Sequence, residues 1–113
     1  AHRQASSAPI AAVASELQRV LGPSLATVTL GLRDPKAIGQ WARGARQPRP
    51  AQETALRSAY QVVTMLSAVE EPDVVRAWFA GMNPELDDEA PAMRFRSDPV
   101  AVLRAAETFL IDG

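Results

Sequence analysis

The sequence predicts an all-α protein of about six helices, in which an N-terminal helix-turn-helix and a small helical domain share one long central helix. Apolar residues recur at i, i+3, i+4 and i+7 in several segments, which is the spacing of one face of a helix. Prolines and glycines separate these segments. No segment alternates apolar and polar residues with the period of two that indicates a half-buried strand.

Two helices are predicted before residue 31. Ile10–Leu21 carries apolar residues at helical spacing, and Gly22-Pro23 ends it. Ser24–Leu30 is a weaker helix, because its three β-branched residues lose side-chain freedom in a helix. Residues 31–33 form the turn that follows.

The third helix, Pro35–Arg43, has a marked start, a marked stop and two chemically different faces. Asp34 is a good N-cap, and Pro35 fits the first helical position, where its missing N–H costs nothing. Gly44 is expected to close the helix in a left-handed conformation, and Pro48 keeps it from resuming. The apolar face consists of Ile38, Trp41, Ala42 and Ala45, and the polar face consists of Lys36, Gly39, Gln40 and Arg43.

One long helix and two further ones are predicted after residue 50. Ala51–Val69 is apolar over most of its circumference, which is typical of a central, buried helix. Asn83–Ser97 contains two prolines and the acidic cluster Asp87-Asp88-Glu89, and is expected to be mostly loop. Asp98-Pro99 starts the last helix. Pro72–Met82 is the other helix, with Val75, Trp78, Phe79 and Met82 inward.

This pattern divides the chain into three parts. Residues 1–9 are a start that is disordered or left over from expression, residues 10–50 hold the helix-turn-helix, and residues 51–113 form the second helical domain. Residues 1–7 lack the apolar region of a signal peptide, and no apolar run approaches the about 20 residues that cross a bilayer. We therefore expect a cytoplasmic protein without a membrane partner.

The small net charge hides a split between the two ends of the chain. Residues 1–57 hold eight basic and three acidic residues, whereas residues 58–113 hold four basic and ten acidic ones. Five of the basic residues lie between Arg33 and Arg49. Such asymmetry indicates that one half faces a polyanion, although acidic helices can also simply have solvated faces.

A helix-turn-helix that binds DNA lays its second helix in the major groove. Lys36 and Gln40 would then lie nearest the bases, since Gln pairs with adenine and Lys with the acceptors of guanine. The arginines that run past the helix end are expected to contact phosphates. The predicted DNA-binding residues are Lys36, Gln40, Arg43, Arg46 and Arg49.

Two residues of this helix have structural interpretations. Gly39 costs about 1 kcal/mol relative to Ala inside a helix, so it requires either close packing or close approach to DNA. Trp41 is expected to anchor the core, with its indole N–H near the rim. Lys36 and Gln40 could also be an ordinary solvated face. Many proteins contain a helix-turn-helix that never meets DNA.

Nothing in the sequence indicates an enzyme, a cofactor or a metal. The chain has no cysteine and a single histidine, His2, which excludes thiolate sites and histidine clusters. Asp87, Asp88 and Glu89 lack the spacing of a calcium loop and are expected to lie in a solvated loop. Asp73 and Glu85 have no base, nucleophile or phosphate cradle near them in sequence.

Three motifs follow one another between residues 38 and 113. Trp41–Pro48 has the form Trp-x-x-Gly-x-x-x-Pro, and Ala77–Leu86 contains Trp-Phe followed by Asn-Pro-x-Leu. Pro91 comes next, and Val102–Leu110 closes the series. In this order they resemble Xre-type antitoxins with an MbcA/ParS-like toxin-binding domain, which are the partners of RES-domain toxins. The family often has glycines after Asn-Pro-x-Leu, where this chain has Asp87-Asp88-Glu89.

The resemblance implies that the N-terminal helices bind operator DNA and that residues 51–113 hold the toxin. Family members use the last helix and the chain end to obstruct the NAD-binding site of the toxin. An acidic surface would also suit a cationic nucleotide-binding cleft. The implied toxin-binding residues are Trp78, Asn83, Phe109, Leu110, Ile111, Asp112 and Gly113.

The first hypothesis is therefore a non-enzymatic antitoxin that blocks a RES-domain NAD-degrading toxin and represses its own operon as a homodimer. The alternative is a stand-alone helix-turn-helix regulator whose C-terminal half only mediates oligomerisation. A third hypothesis is an interaction scaffold with a vestigial helix-turn-helix. The sequence pI of 5.8 is low for a DNA-binding protein, so affinity would depend on dimerisation or on local charge.

Overall fold

Residues 8–112 are described in the computed structural model, and no strand occurs among them. The all-α fold of about six helices is confirmed; the additional helix is a single turn in the segment that was expected to be loop. The helices are α1 Ile10–Leu21, α2 Pro23–Leu30, α3 Ala37–Ala42, α4 Pro50–Ser67, α5 Pro72–Ala80, α6 Pro91–Arg94 and α7 Pro99–Asp112, with a 3₁₀ turn, Pro84–Leu86, before α6.

Proline begins most of these elements. Its fixed φ suits the first helical turn, where the N–H that it lacks would have no partner within the helix. Before α7, the side chain of Asp98 also caps the helix, because its Oδ1 accepts a hydrogen bond from the N–H of Ala101 at 3.1 Å. The elements that start in this way begin at Pro23, Pro50, Pro72, Pro84, Pro91 and Pro99.

Glycines in the left-handed conformation end α2 and α3. Gly31 has φ +67° and Gly44 has φ +74°, which confirms the predicted role of Gly44. After α3, the N–H of Ala45 donates to the carbonyl of Gln40 at 2.9 Å, which closes the helix. The start of α3 is later than predicted, because residues 35 and 36 form a turn in which Asp34 Oδ1 accepts from the N–H of Lys36 at 2.9 Å.

A single buried cluster joins the two halves of the chain. The central helix α4 packs against α1 and α2 of the first half of the chain and against α5 and α7 of the second half. Its side chains Leu56 and Leu66 are buried in the same cluster as Leu17 of α1 and Phe79 of α5. The predicted sharing of one long helix is therefore seen, and the core continues across residue 50 without a linker.

The start of the folded body lies slightly before α1. The carbonyl of Ala8 accepts a hydrogen bond from Arg57 Nη1 at 2.8 Å, and the carbonyl of Pro9 accepts from the N–H of Val13. Ala8 and Pro9 thus belong to the helical body, whereas the prediction for residues 1–7 falls outside the described residues. Within residues 8–112, no helix is long and apolar enough to cross a membrane.

The connection between α5 and α7 is held by one arginine. Arg94 Nε donates to Glu89 Oε1 at 2.6 Å, and Arg94 Nη2 donates to the carbonyl of Leu86 at 3.1 Å. The hydrogen bond with Glu89 raises the pKa of Arg94. Asp87 and Asp88 have φ of +56° and +67°, a conformation that glycine adopts more readily.

Candidate nucleic-acid interface and partner groove

The helix-turn-helix consists of α2, residues 31–36 and α3. Helix α3 packs mainly against α1 and more lightly against α2. Gly39 is buried in this contact, and a Cβ there would lie 3.2 Å from Arg43 Nη1 and 3.5 Å from Gln18 Nε2 of α1. Both atoms are the ends of flexible side chains that small shifts would move aside, so packing alone does not account for the glycine.

Two of the predicted DNA-binding side chains bind each other. Gln40 Oε1 accepts a hydrogen bond from Arg46 Nη1 at 2.9 Å, and the same Arg46 nitrogen lies 4.0 Å from Asp34 Oδ2. Bidentate pairing with adenine uses both the oxygen and the NH₂ group of glutamine. Because the carbonyl oxygen of Gln40 can accept two hydrogen bonds, the bond from Arg46 orients the Gln40 side chain without by itself preventing this pairing. Helical periodicity does not reveal this link.

The remaining predicted DNA-binding residues are exposed. Lys36 lies at the start of α3, and Arg43 lies just after its end. Ala45, which was expected on the apolar face, is also exposed, since α3 ends at Ala42 and the chain turns at Gly44. The structure therefore leaves a basic surface over a short helix of six residues.

A cleft of about 280 Å³ opens beside α3, between the turn after α2 and the start of α4. Trp41 forms part of its wall and is only 2% exposed, which confirms its predicted role in the core. Its indole nitrogen is buried and has no hydrogen-bond partner among residues 8–112. The expectation that the indole N–H lies near the edge of the core is wrong, because the whole ring is buried. The lining residues of this α3 cleft are Gly31, Leu32, Arg33, Asp34, Ala37, Trp41, Arg46, Arg49 and Gln52.

A second, largely apolar groove of about 290 Å³ lies between the end of α5, the 3₁₀ turn and the end of α7. Trp78 stands at its base, with its ring 5.2 Å from that of buried Phe79 and 6.4 Å from that of Phe109. These aromatic contacts connect the groove to the core. The lining residues of this partner groove are Trp78, Met82, Asn83, Pro84, Glu85, Ala105, Thr108, Phe109 and Asp112.

Asn83 shapes one wall of the partner groove. It is 8% exposed, and its Oδ1 accepts a hydrogen bond from the N–H of Glu85 at 2.9 Å. Its backbone carbonyl accepts from the N–H groups of Leu86 and Asp88, both at 2.9 Å. These bonds fix the 3₁₀ turn, so the side chain carbonyl of Asn83 is engaged within the chain.

Four of the predicted toxin-binding residues thus come together at one groove: Trp78, Asn83, Phe109 and Asp112. Leu110 and Ile111 lie on the last turn of α7 outside this lining set and are 37% and 83% exposed. Gly113 lies outside the described residues.

Met82 is a groove residue that sequence reasoning missed. It was expected to face inward as part of a helix from 72 to 82, but it is 82% exposed. The reason is that α5 ends at Ala80, so Met82 leaves the helical spacing that would have turned it inward. The sequence signal for this helix end is Gly81, which follows the last two apolar residues of the helix.

Helix α7 contributes residues to two separate clefts. Pro99, at its start, lines a cleft with Gly31 and Arg96, and Phe109, near its end, lines the partner groove. The Arg96 side chain lies so close to Gly31 that a Cβ there would overlap it. A helix of 14 residues is about 21 Å long, so the two surfaces lie at opposite ends of one rigid element.

A scan against protein-family models, a search of curated proteins and a search of solved structures returned no match for this chain.

Proposed function

We propose that the chain is the antitoxin of a type II toxin–antitoxin pair, which blocks a RES-domain NAD-degrading toxin and represses its own operon. One observation carries the proposal. Residues that are far apart in sequence and that the family resemblance nominates for toxin binding, among them Trp78 and Phe109, line one apolar groove.

The chemistry of the partner groove suits a protein partner. Met82 in the groove exposes most of its apolar surface to water, as does Ile111 on the last turn of α7 outside the groove lining, and burying this surface against a partner would be favourable. Methionine adapts its shape to a partner, and tryptophan is enriched among residues that dominate binding energies. Glu85 and Asp112 add negative charge to the lining, which complements the cationic cleft of an enzyme that binds NAD.

The proposed repressor function is supported by the basic surface of the helix-turn-helix. Lys36, Gln40 and Arg43 share one face of α3 and its flanks, and further arginines lie on the loop that follows. Because α3 is short and the sequence pI is only 5.8, one copy offers few phosphate contacts. A homodimer on two half-sites would double them, and we include it in the proposal.

Co-expression with a RES-domain protein encoded by the neighbouring gene tests the toxin half. We expect the wild-type chain to relieve the growth arrest that this protein causes. Met82→Asp should lose the relief, because it puts a charge into the groove. The matched control Met93→Asp, on α6 and outside the groove, should retain it.

Two results would contradict the toxin half of the proposal. One is that the neighbouring gene encodes no RES-domain protein or that no toxicity is relieved. The other is that both methionine variants behave alike while both remain folded by circular dichroism.

A stand-alone regulator is the second candidate function. The observation that favours it is that the same exposed apolar residues, Met82 and Ile111, would serve equally well as an interface with a second copy. It predicts sequence-specific DNA binding with steep salt dependence and no toxin partner. It also predicts a dimer in solution that Met82→Asp dissociates. Undetectable DNA binding at low salt would instead favour the interaction scaffold.

A further inference from the structure

We propose that Gln18 of α1 reads a base of the operator, because its side chain lies on the DNA-facing side of α3 at Gly39, a position that has no side chain of its own. The inference rests on the proposed DNA-binding function and adds to it a residue from outside the helix-turn-helix. Its ligand is the edge of a base in the major groove.

Gly39 occupies one of the four positions on the polar face of α3. Successive residues of a helix are separated by about 100° around its axis, so Gly39 shares a side of α3 with Lys36, Gln40 and Arg43. Trp41, which is buried in the core, points to the opposite side. The face nominated for the bases therefore contains one position without a side chain.

Two flexible side chains cover Gly39, and one of them comes from α1. A Cβ at this position would lie 3.2 Å from Arg43 Nη1 and 3.5 Å from Gln18 Nε2, and Gly39 is buried. Apart from its chain neighbours and the backbone of α3, no other atom of residues 8–112 comes within 4 Å of that point. The Gln18 side chain therefore reaches from α1 across to the polar face of α3.

The side-chain amide of Gln18 is available to a ligand. Gln18 is partly exposed, and its side chain makes no hydrogen bond with another residue between 8 and 112. A glutamine amide offers a donor and an acceptor side by side, which is the pair that matches the edge of adenine. Gln40, by contrast, already accepts a hydrogen bond from Arg46. Of these two glutamines, Gln18 thus has the more accessible set of donors and acceptors.

A glycine at position 39 fits this role. Glycine is disfavoured inside a helix relative to alanine, and the fold alone does not require it here, since the atoms near the position belong to flexible side chains. A Cβ would stand between the α3 backbone and an approaching base, and it would push the Gln18 amide away from the face. Glycine keeps the close approach open and leaves room for the amide.

Arg43 places the Gln18 amide relative to the DNA. Its guanidinium pairs with no carboxylate between residues 8 and 112, so its charge is available to a phosphate. Phosphate contacts fix the register of a protein on the duplex, and base contacts beside them read the sequence. Because Gln18 and Arg43 approach the same point on α3, a phosphate bound by Arg43 sets the position of Gln18 over the base edges.

Fluorescence anisotropy with the duplex of the chain's own promoter, and with duplexes in which each base pair is changed singly, tests the inference. We expect Gln18→Ala to weaken binding to the promoter duplex by about tenfold and to remove the preference at one or two adjacent base pairs, since a single base contact is lost. Ser15→Ala is the matched control, because Ser15 is an exposed polar residue of α1 that does not approach Gly39. It should bind like the wild-type chain.

Gly39→Ala separates a role in reading DNA from a role in the fold. Alanine is the better helix former, so the midpoint of urea unfolding should not fall. The preference at the base pairs that Gln18→Ala affects should nevertheless be reduced, because the added Cβ displaces the Gln18 amide. Circular dichroism measures the midpoint, and the same set of duplexes measures the preference.

Loss of preference at the same base pairs in Gln18→Ala and Gly39→Ala, with Ser15→Ala unchanged, supports the inference. Equal weakening of all duplexes by Gln18→Ala overturns it, since this is the behaviour of a phosphate contact, as does binding that Gln18→Ala leaves unchanged. In both of these cases the wild-type chain still binds DNA, and the proposed function stands. A wild-type chain that binds no duplex at low salt overturns the inference together with the DNA-binding function.

Discussion

Two regions of this molecule, the helix-turn-helix and the partner groove, present surfaces of opposite character. At the helix-turn-helix, polar and basic side chains cover a short helix, and several are already bonded to one another, as Gln40 is to Arg46. At the partner groove, the exposed side chains are large and apolar, and Met82 is 82% exposed. One continuous core lies between them, and Trp41 and Phe79 are both part of it.

This difference indicates that the two ends would respond to different forces. Binding through arginines and lysine releases counterions and weakens steeply with salt. Binding through buried apolar area depends on burial and shows a negative heat-capacity change, with little dependence on salt. A chain with near-zero net charge can thus serve an anionic and an apolar partner, because its charge is separated in space.

The largest expected effect is on the free energy of unfolding, and it differs between the two tryptophans. Trp41→Ala should lower the free energy of unfolding by about 3–5 kcal/mol, because it empties a buried site. Trp78→Ala should lower it by only about 1–2 kcal/mol, since Trp78 is half-buried at the groove. Urea unfolding followed by circular dichroism measures both, and equal losses would contradict the distinction between a core tryptophan and a groove tryptophan.

The next effect is on partner binding. Ile111→Asp should weaken binding of the proposed RES-domain partner by about 2 kcal/mol or more, with little change in stability, because Ile111 is 83% exposed. Val100→Asp is the control, since Val100 is an exposed apolar residue at the other end of the same helix. Calorimetric titration of both variants checks this, and equal weakening would argue against a partner site confined to one end.

At the helix-turn-helix we expect smaller effects that differ in kind. Gln40→Ala should reduce discrimination at one base position by about 1–3 kcal/mol. Arg49→Ala should weaken all DNA sites similarly and reduce the slope of the salt dependence by about 1. Fluorescence anisotropy with a set of duplexes at several salt concentrations measures both. Arg46 is unsuitable as the phosphate variant, because its loss would also free Gln40.

The smallest effects concern two residues with positive φ, Asp88 in the loop that shapes the groove and Gly44 after α3. Asp88→Gly should raise the free energy of unfolding by about 0.5 kcal/mol, since relief of the left-handed strain outweighs the added freedom of the unfolded chain. Gly44→Ala is the opposite case and should cost about 1 kcal/mol, because a Cβ there meets nothing within 4 Å and only the backbone is strained. Urea unfolding measures the change in the free energy of unfolding for both variants. A loss of stability in Asp88→Gly would show that the aspartate is needed there.

The starts of the helices were predictable from the sequence because their signals are local. A proline at the first helical position, or a cap such as Asp98, acts within a few residues, and the predicted starts at Pro72 and Pro99 agree with the structure. The start predicted at Pro35 is wrong, because α3 begins at Ala37, and the loop predicted around Pro91 contains the one-turn helix α6. The end of α5 at Ala80 was overshot, which is why Met82 was expected to face inward.

The candidate sites were predictable only in part, because they depend on contacts between distant segments. The residues of the partner groove could be nominated from motifs, but the meeting of Trp78 with Phe109 depends on how α7 packs against α5. The bond between Gln40 and Arg46 spans a non-helical turn, which no periodicity reveals. The unpartnered N–H of Trp41 follows from how deep the ring lies in the core, and its spacing in the sequence does not encode this depth.

The central proposal is that the partner groove blocks an enzyme that consumes NAD. The most direct measurement is NAD consumption by the RES-domain protein of the neighbouring gene, with increasing amounts of wild-type chain or of Met82→Asp. We predict that the wild-type chain stops the reaction at a fixed stoichiometry and that Met82→Asp fails to do so at the same concentrations. NAD consumption that the wild-type chain leaves unchanged, or that both chains stop equally, would contradict the account.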